Sequence, residues 1–175
     1  MAKIKQLIIH CSASDYGDAD TFRDWHVRGN GWSDIGYHYV ILNGFRKSGG
    51  TFNPAENGIV EPGRPLDQND YIDVDERGAH AYGFNHQSLG VCMVGNKLFT
   101  REQFVSLWHI VDYWKTLIPE IEVIGHYQVN TTGKTCPNFD VPKFTSLAWL
   151  ETDSAEYHLV RSLMAGNLPI KNTKD

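Results

Sequence analysis

The apolar positions of this chain fall into short, largely β-branched runs separated by polar and glycine-rich stretches, with one long helical stripe among them. Residues 5–11 read as a buried strand. A polar loop over 12–20 leads to a short helix capped by Thr21, with Asp24 at its third helical position and Phe22 and Trp25 on one face. Gly29 and Gly31 end that helix. Residues 37–42 alternate as a second strand, which puts Tyr37, Tyr39 and Ile41 on one face and His38, Val40 and Leu42 on the other. Asn43-Gly44 marks a turn, and an irregular stretch over 45–58 separates it from a third short strand at Ile59 and Val60. Residues 88–94 are almost continuously apolar, as expected of a central strand.

Thr100 and Gln103 form a capping box at the start of the longest helix. Phe104, Leu107, Val111, Trp114 and Ile118 recur along it at helical spacing, and Pro119 stops it. A fifth strand covers 122–124. Asp140 caps a short helix reaching about residue 150, with Pro142 in its first turn. A further amphipathic helix is expected over 154–164, followed by a frayed tail. Strands interleaved with helices, with no repeat and no linker between two cores, predict a single α/β or α+β domain. Its core lies in residues 1–150, and 151–175 form an extension rather than a second domain.

Composition narrows the function classes. The chain has 175 residues, 41% hydrophobic and 21% charged, enough for one domain with a real core. A net charge of −5 and the lack of a basic stripe argue against a general nucleic-acid binder. The acidic stretch 67–77 reads as a solvated face. No run approaches the roughly 20 apolar residues that span a bilayer, so no membrane insertion is expected. The basic start, Met1 to Lys5, precedes a run too short and too strand-like for a secretory signal, which predicts a protein made in the cytoplasm. Three cysteines, an odd number, argue against a disulfide framework. Cys11 and Cys92 sit in apolar strands as small buried hydrophobes. Cys136 is different, lying in a polar loop among Lys134, Pro137 and Asn138.

Two histidines join Cys136 as candidate metal ligands. His10 ends the first apolar run and His126 follows the fifth strand, so both side chains can meet at one edge of a sheet. Two imidazoles and a thiolate suit Zn²⁺, whose catalytic sites use three protein ligands and leave a fourth position open. The spacing alone leaves the bland alternative standing. Among eight histidines, a lone one in an apolar segment is more often a satisfied structural residue. No His-Glu-x-x-His helix and no Cys-x-x-Cys pair is present.

Six motifs in order decide between these readings. They are Ile8-Ile9-His10-Cys11-Ser12-Ala13-Ser14; Trp25-His26 with Gly31-Trp32; Ile35-Gly36-Tyr37-His38-Tyr39; and Val60-Glu61-Pro62-Gly63-Arg64. Gly78-Ala79-His80-Ala81-Tyr82-Gly83-Phe84-Asn85 then runs into Ser88-Leu89-Gly90-Val91, and Gly125-His126 precedes Lys134-Thr135-Cys136-Pro137-Asn138-Phe139-Asp140. Together they resemble the zinc-dependent N-acetylmuramoyl-L-alanine amidases, the amidase-type phage lysozymes related to the peptidoglycan recognition proteins. The resemblance spans residues 8 to about 144.

The resemblance implies an α/β fold with a mixed central sheet of about five or six strands and helices on both faces. It places the zinc ligands on His10, His126 and Cys136, the catalytic tyrosine on Tyr37 and the catalytic lysine on Lys134. His80, in a glycine-rich loop near the cleft, is expected to contact substrate. The implied reaction is hydrolysis of the amide between N-acetylmuramic acid and L-alanine in peptidoglycan, by a phage or prophage endolysin that reaches the wall after release or export. The alternative is a non-catalytic peptidoglycan-binding module. Cys136 argues against it, because the cysteine is typically replaced in non-catalytic relatives. A monomer is expected. Some compact phage members also contact the phage RNA polymerase, but no motif of this chain supports that partner. Compared with those members, the connections over 45–58 and 64–78 are extended, and no glutamate general base stands at a motif position.

Overall fold

Burial sets the strand order. The segment Ser88–Met93 is buried at every position, which leaves it no solvent face and puts it inside a sheet. The computed structural model describes residues 1–67 and 69–146. In chain order its elements are β1 (Ala2–Lys3), β2 (Gln6–Cys11), α1 (Ala19–Asp24), β3 (Tyr39–Asn43), β4 (Asn57–Pro62), β5 (Tyr71–Ile72), β6 (Ser88–Met93), α2 (Arg101–Leu117), β7 (Glu122–Gly125) and α3 (Val141–Thr145). A π-helical turn, Trp25–Gly29, continues α1, and a 3-10 turn, His126–Gln128, follows β7.

The main sheet has five strands in the order β4-β3-β6-β2-β7. β6 pairs in parallel with both β3 and β2, β2 pairs in parallel with β7, and only β4 runs antiparallel, against β3. The sheet is therefore mixed. β1 and β5 form a separate antiparallel pair.

Alternation along the strands divides the core in two. Leu7, Ile9, Tyr39, Ile41, Val91 and Met93 face α2 and α3, packing with Leu107, Val111, Trp114 and Phe144. Val40, Leu42 and Cys92 face the other way, against Ala19 and Phe22 of α1 and against Ile35. Helices thus cover both faces. Thr100 and Gln103 cap α2 as a reciprocal box, and the Gln103 amide then bridges the Ile41 and Val94 carbonyls.

The structure departs from the sequence reading at α1, before β3 and in the stretch 67–77, and it adds detail to the loop over 45–58. Helix α1 starts at Asp18, whose carboxylate accepts the Thr21 N–H at 2.8 Å, so Thr21 lies inside the helix. β3 starts at Tyr39. His38 still donates its N–H to Gly90 O of β6 and accepts from Gly63 N, but Gly36 and Tyr37 are held otherwise: Gly36 O accepts from Ala79 N and Tyr37 O from Arg64 N. The strand alternation does not reach back through them, and the Tyr37 ring joins the α1-side cluster rather than lying beside Tyr39 and Ile41. The stretch 67–77 is not wholly solvated, for it contains β5, and buried Glu76 accepts the amides of Asp67 and Asp73. Finally, the loop after β3 is anchored. Arg46 reaches Asp18, Glu56 and Glu61 within 2.9 Å, tying the loop to the N-terminus of α1. Asp140 caps α3 as expected. The predicted continuation to 150 and the helix over 154–164 lie outside the described residues.

Candidate metal centre

His10 is the penultimate residue of β2 and points to the α1 face, opposite Cys92 in the β2–β6 register. Ile9 pairs with Gly125 of β7, so His126, the next residue, emerges beside His10, and the two rings stand 4.5 Å apart. Gly125 allows the close turn: a Cβ there would collide with the Tyr127 ring. Cys136 is drawn in by two backbone bonds. The Cys11 N–H donates to its Sγ at 3.2 Å, and the Tyr127 N–H donates to its carbonyl at 2.9 Å.

One ligand atom from each of His10, His126 and Cys136 lies within 4.8 Å of the others. His10 Nδ1 is the ring nitrogen that faces Cys136 Sγ, at 3.9 Å. This donor set fits zinc, which favours imidazole nitrogen and thiolate sulfur at about 2.0–2.3 Å.

The ionisable groups here are held mostly neutral. Burial pushes the pKa of His10 well below 6.5, and the neighbouring His80 and His126 push the same way. His126 is lowered by burial and then by the Lys134 ammonium. Neutral imidazoles are the form that ligates a metal. The thiols of Cys11 and Cys136 are paired. Their contact lowers the pKa of Cys11 and raises that of Cys136, so the two thiols do not ionise independently. The Tyr37 hydroxyl is pushed well above 10, by burial first and by the nearby thiols second, and it stays a proton donor at neutral pH.

Tyr37, Lys134 and His80 all converge on the three candidate ligands. The Tyr37 ring lies 5.3 Å from His10. Exposed Lys134 borders a cleft of about 580 Å³ that is also lined by His10, Tyr37, His80, His126 and Cys136. That volume is in the range of small-ligand sites, roughly 300–1,000 Å³. A second hollow of about 810 Å³, with Tyr127 and Phe139 in its wall, shares Lys134, Thr135 and Asn138 with the first. His80 borders the cleft, yet its ring is engaged by the protein itself. It is buried, with Nδ1 3.0 Å from His10 Nε2 and Nε2 turned to Ser88.

Two residues that sequence reasoning passed over hold these loops. Asn138 adopts φ 69° and donates to Asn96 O at 2.6 Å and to Cys11 Sγ at 3.5 Å, fixing the cysteine loop over the end of β2. Asparagine tolerates the left-handed region, so an Asn just after Cys-Pro was an available signal. Asn85 accepts the amides of His80 and Ala81, closing the loop that carries His80.

Known proteins agree with this architecture. Residues 1–139 match the family model described as N-acetylmuramoyl-L-alanine amidase. The endolysin of Enterobacteria phage K11 is 30% identical over 159 residues, covering 84% of this chain and 89% of that protein. Among solved structures, the amidase LysC of Clostridium intestinale URNW shares the fold with a TM-score of 0.65 at 21% identity, covering 86% of this chain and 88% of its own. Drosophila PGRP-LB does so with a TM-score of 0.61 at 20% identity, over 89% and 87%. The match over most of the chain, on a fold that brings two histidines and a cysteine to one sheet edge, places the protein in the N-acetylmuramoyl-L-alanine amidase family.

Proposed function

We propose that this chain is a zinc-dependent endolysin that hydrolyses the amide between the lactyl group of N-acetylmuramic acid and L-alanine in peptidoglycan. The observation that carries the proposal is the convergence of His10, His126 and Cys136 at the floor of a cleft that Tyr37 and Lys134 also line. The catalytic unit falls within residues 1–150, and the family match ends at 139.

His10, His126 and Cys136 would hold the ion. Bound there, zinc supplies Lewis acidity and lowers the pKa of a coordinated water towards about 7. The remaining work falls to the protein. Peptide hydrolysis moves negative charge onto the carbonyl oxygen, and a donor already aimed at that position stabilises the transition state more than the ground state. Lys134 is an exposed cation lining the cleft and is suited to that role. Tyr37 keeps its proton at neutral pH and offers a second donor at the cleft. The leaving amine needs a proton, and Lys134 and Tyr37 are the proton-bearing groups the proposal assigns to it. His10 is too deeply buried to collect protons from solvent.

The test is digestion of purified peptidoglycan with products identified by mass spectrometry. Native, chelator-treated and Cys136→Ala proteins are compared. Stem peptides beginning with L-alanine, released only by the zinc-loaded native protein, are the expected result. Zinc binding and wall binding without peptide release would make the chain a recognition module instead.

A further inference from the structure

The His10 ring has two faces of chemistry. Nδ1 looks toward Cys136, and Nε2 looks 3.0 Å away to His80 Nδ1. Which of these nitrogens carries the proton is settled further along the chain of contacts. His80 Nε2 meets Ser88 O at 3.4 Å and Ser88 Oγ at 3.5 Å. The Ser88 hydroxyl has already given its hydrogen to Phe84 O, at 2.9 Å. Both groups facing His80 Nε2 are therefore acceptors, so Nε2 holds the His80 proton and Nδ1 is a lone pair. That lone pair can only accept, so His10 donates from Nε2. His10 Nδ1 is then a lone pair aimed at the metal site.

The fold builds a slot for this contact. A Cβ on Gly90 would stand 2.6 Å from His80 Cγ, and one on Gly78 would stand 2.7 Å from His80 Cδ2. The His80 backbone is fixed by Asn85 Oδ1 at 2.9 Å. Two glycines and a loop-closing asparagine thus press the imidazole flat against the sheet, behind His10.

We propose that His80 is a positioning residue, whose Nδ1 accepts the His10 Nε2 proton in a hydrogen bond and so locks His10 in the tautomer that presents Nδ1 to zinc. This rests on the zinc reading above and gives His80 a place in it other than substrate contact. A metal-bound histidine usually gives its second N–H to a carboxylate, carbonyl or water, and losing that partner typically costs about 10–100-fold in metal affinity. Here a second neutral imidazole takes that place.

The experiment has two arms. Long-range ¹H–¹⁵N spectra of the metal-free native protein read the His10 and His80 tautomers directly. Both are expected to be protonated at Nε2, and a His10 protonated at Nδ1 overturns the proposal, whether or not zinc binds. Zinc alone is then titrated against a competing chelator for native protein, His80→Leu and His80→Asn. Asn places Oδ1 where Nδ1 was and keeps an acceptor; Leu keeps bulk and removes it. The expected result is a 10–100-fold weaker zinc affinity for His80→Leu and a value within a few-fold of native for His80→Asn. Native affinity in a folded His80→Leu, or equal losses in both variants, overturns it. If the native protein binds no zinc at all, the metal reading fails while the tautomer arm still decides the His10–His80 hydrogen bond.

Discussion

The Cys11 backbone N–H donates to Cys136 Sγ over 3.2 Å, so the residue after one proposed ligand fixes the position of another. This bond is what brings a loop cysteine to the end of β2. It would also favour the thiolate once the sulfur gives up its proton to a metal, since a hydrogen bond to an ionised acceptor is about twice as strong as a neutral one.

Substituting Cys136 separates the two jobs of its sulfur. Cys136→Ser keeps an acceptor for the Cys11 amide and loses the soft ligand, whereas Cys136→Ala loses both. Both variants should bind zinc at least about 100-fold more weakly and release no stem peptides. Cys136→Ala should also unfold more easily than Cys136→Ser in zinc-free buffer, by about 1 kcal/mol, the net worth of one hydrogen bond. Metal content, peptide release and denaturant titration read the three quantities. Stoichiometric zinc in either variant at native affinity would remove Cys136 from the ligand set.

Lys134 is exposed, so its removal should leave stability within about 0.5 kcal/mol. If it faces the developing oxyanion, Lys134→Ala should cost about 10²–10³ in kcat, with a much smaller change in KM. Zinc affinity should hold or rise slightly, because the ammonium that depresses the His126 pKa is gone. Steady-state kinetics on a soluble muropeptide would show the split. A rate within twofold of native would make Lys134 a solvated bystander.

How far the sequence went is clearest at Tyr37 and His80. The five strands of the main sheet and the α2 cap were legible because burial and capping are local properties written in residue type, and the three candidate ligands were legible through the ordered family motifs. Tyr37 was legible as a candidate site residue through the family motif, yet its face was misread. Alternation predicts a face only where the backbone is in a ladder, and Gly36 and Tyr37 are pinned by Ala79 and Arg64 instead. His80 was legible as a site residue but not as the partner of His10. That contact depends on Gly90 and Gly78 giving up their side chains, a fact about spatial neighbours that sequence order does not show. The burial of Glu76 inside an acidic stretch escaped for the same reason, since its partners are backbone amides that any sequence supplies.

Gly90→Ala tests that slot from the sheet side. The new methyl would meet the His80 ring at 2.6 Å, and the ring is confined by His10, Ser88 and the Gly78 backbone. Overpacking of this kind typically costs about 1–3 kcal/mol. Zinc affinity should fall with it, because His80 must swing away from His10. Adding Gly90→Ala to His80→Ala should cost much less than adding it to native protein, as residues sharing one contact are not additive. Thermal unfolding of the four proteins in the cycle measures the coupling, and additive losses would place the clash elsewhere.

Acid should destabilise the metal-free protein through His38. This ring is fully buried; it accepts the Gly90 N–H at Nδ1, 2.8 Å away, and gives its own proton to the Glu76 carbonyl from Nε2, at 2.9 Å. Burial lowers its pKa from 6.5 to about 4, the carbonyl of Glu76 opposing and the Arg64 guanidinium assisting. Folded, His38 takes up a proton only near pH 4; unfolded, it does so near 6.5. Between these values the unfolded chain binds more protons, so stability is whole above pH 6.5 and falls as the pH drops towards 4. The loss reaches roughly 3 kcal/mol for this group alone. His10 and His80, also held neutral by burial, add to the same trend. His38→Asn leaves Oδ1 to accept the Gly90 amide and has nothing to titrate. Urea unfolding in chelator at several pH values between 7.5 and 4.5 should give the native protein a steeper fall in stability than His38→Asn, by about one proton. Parallel curves would mean that His38 is already protonated in the fold, and that Gly90 N–H finds its acceptor elsewhere.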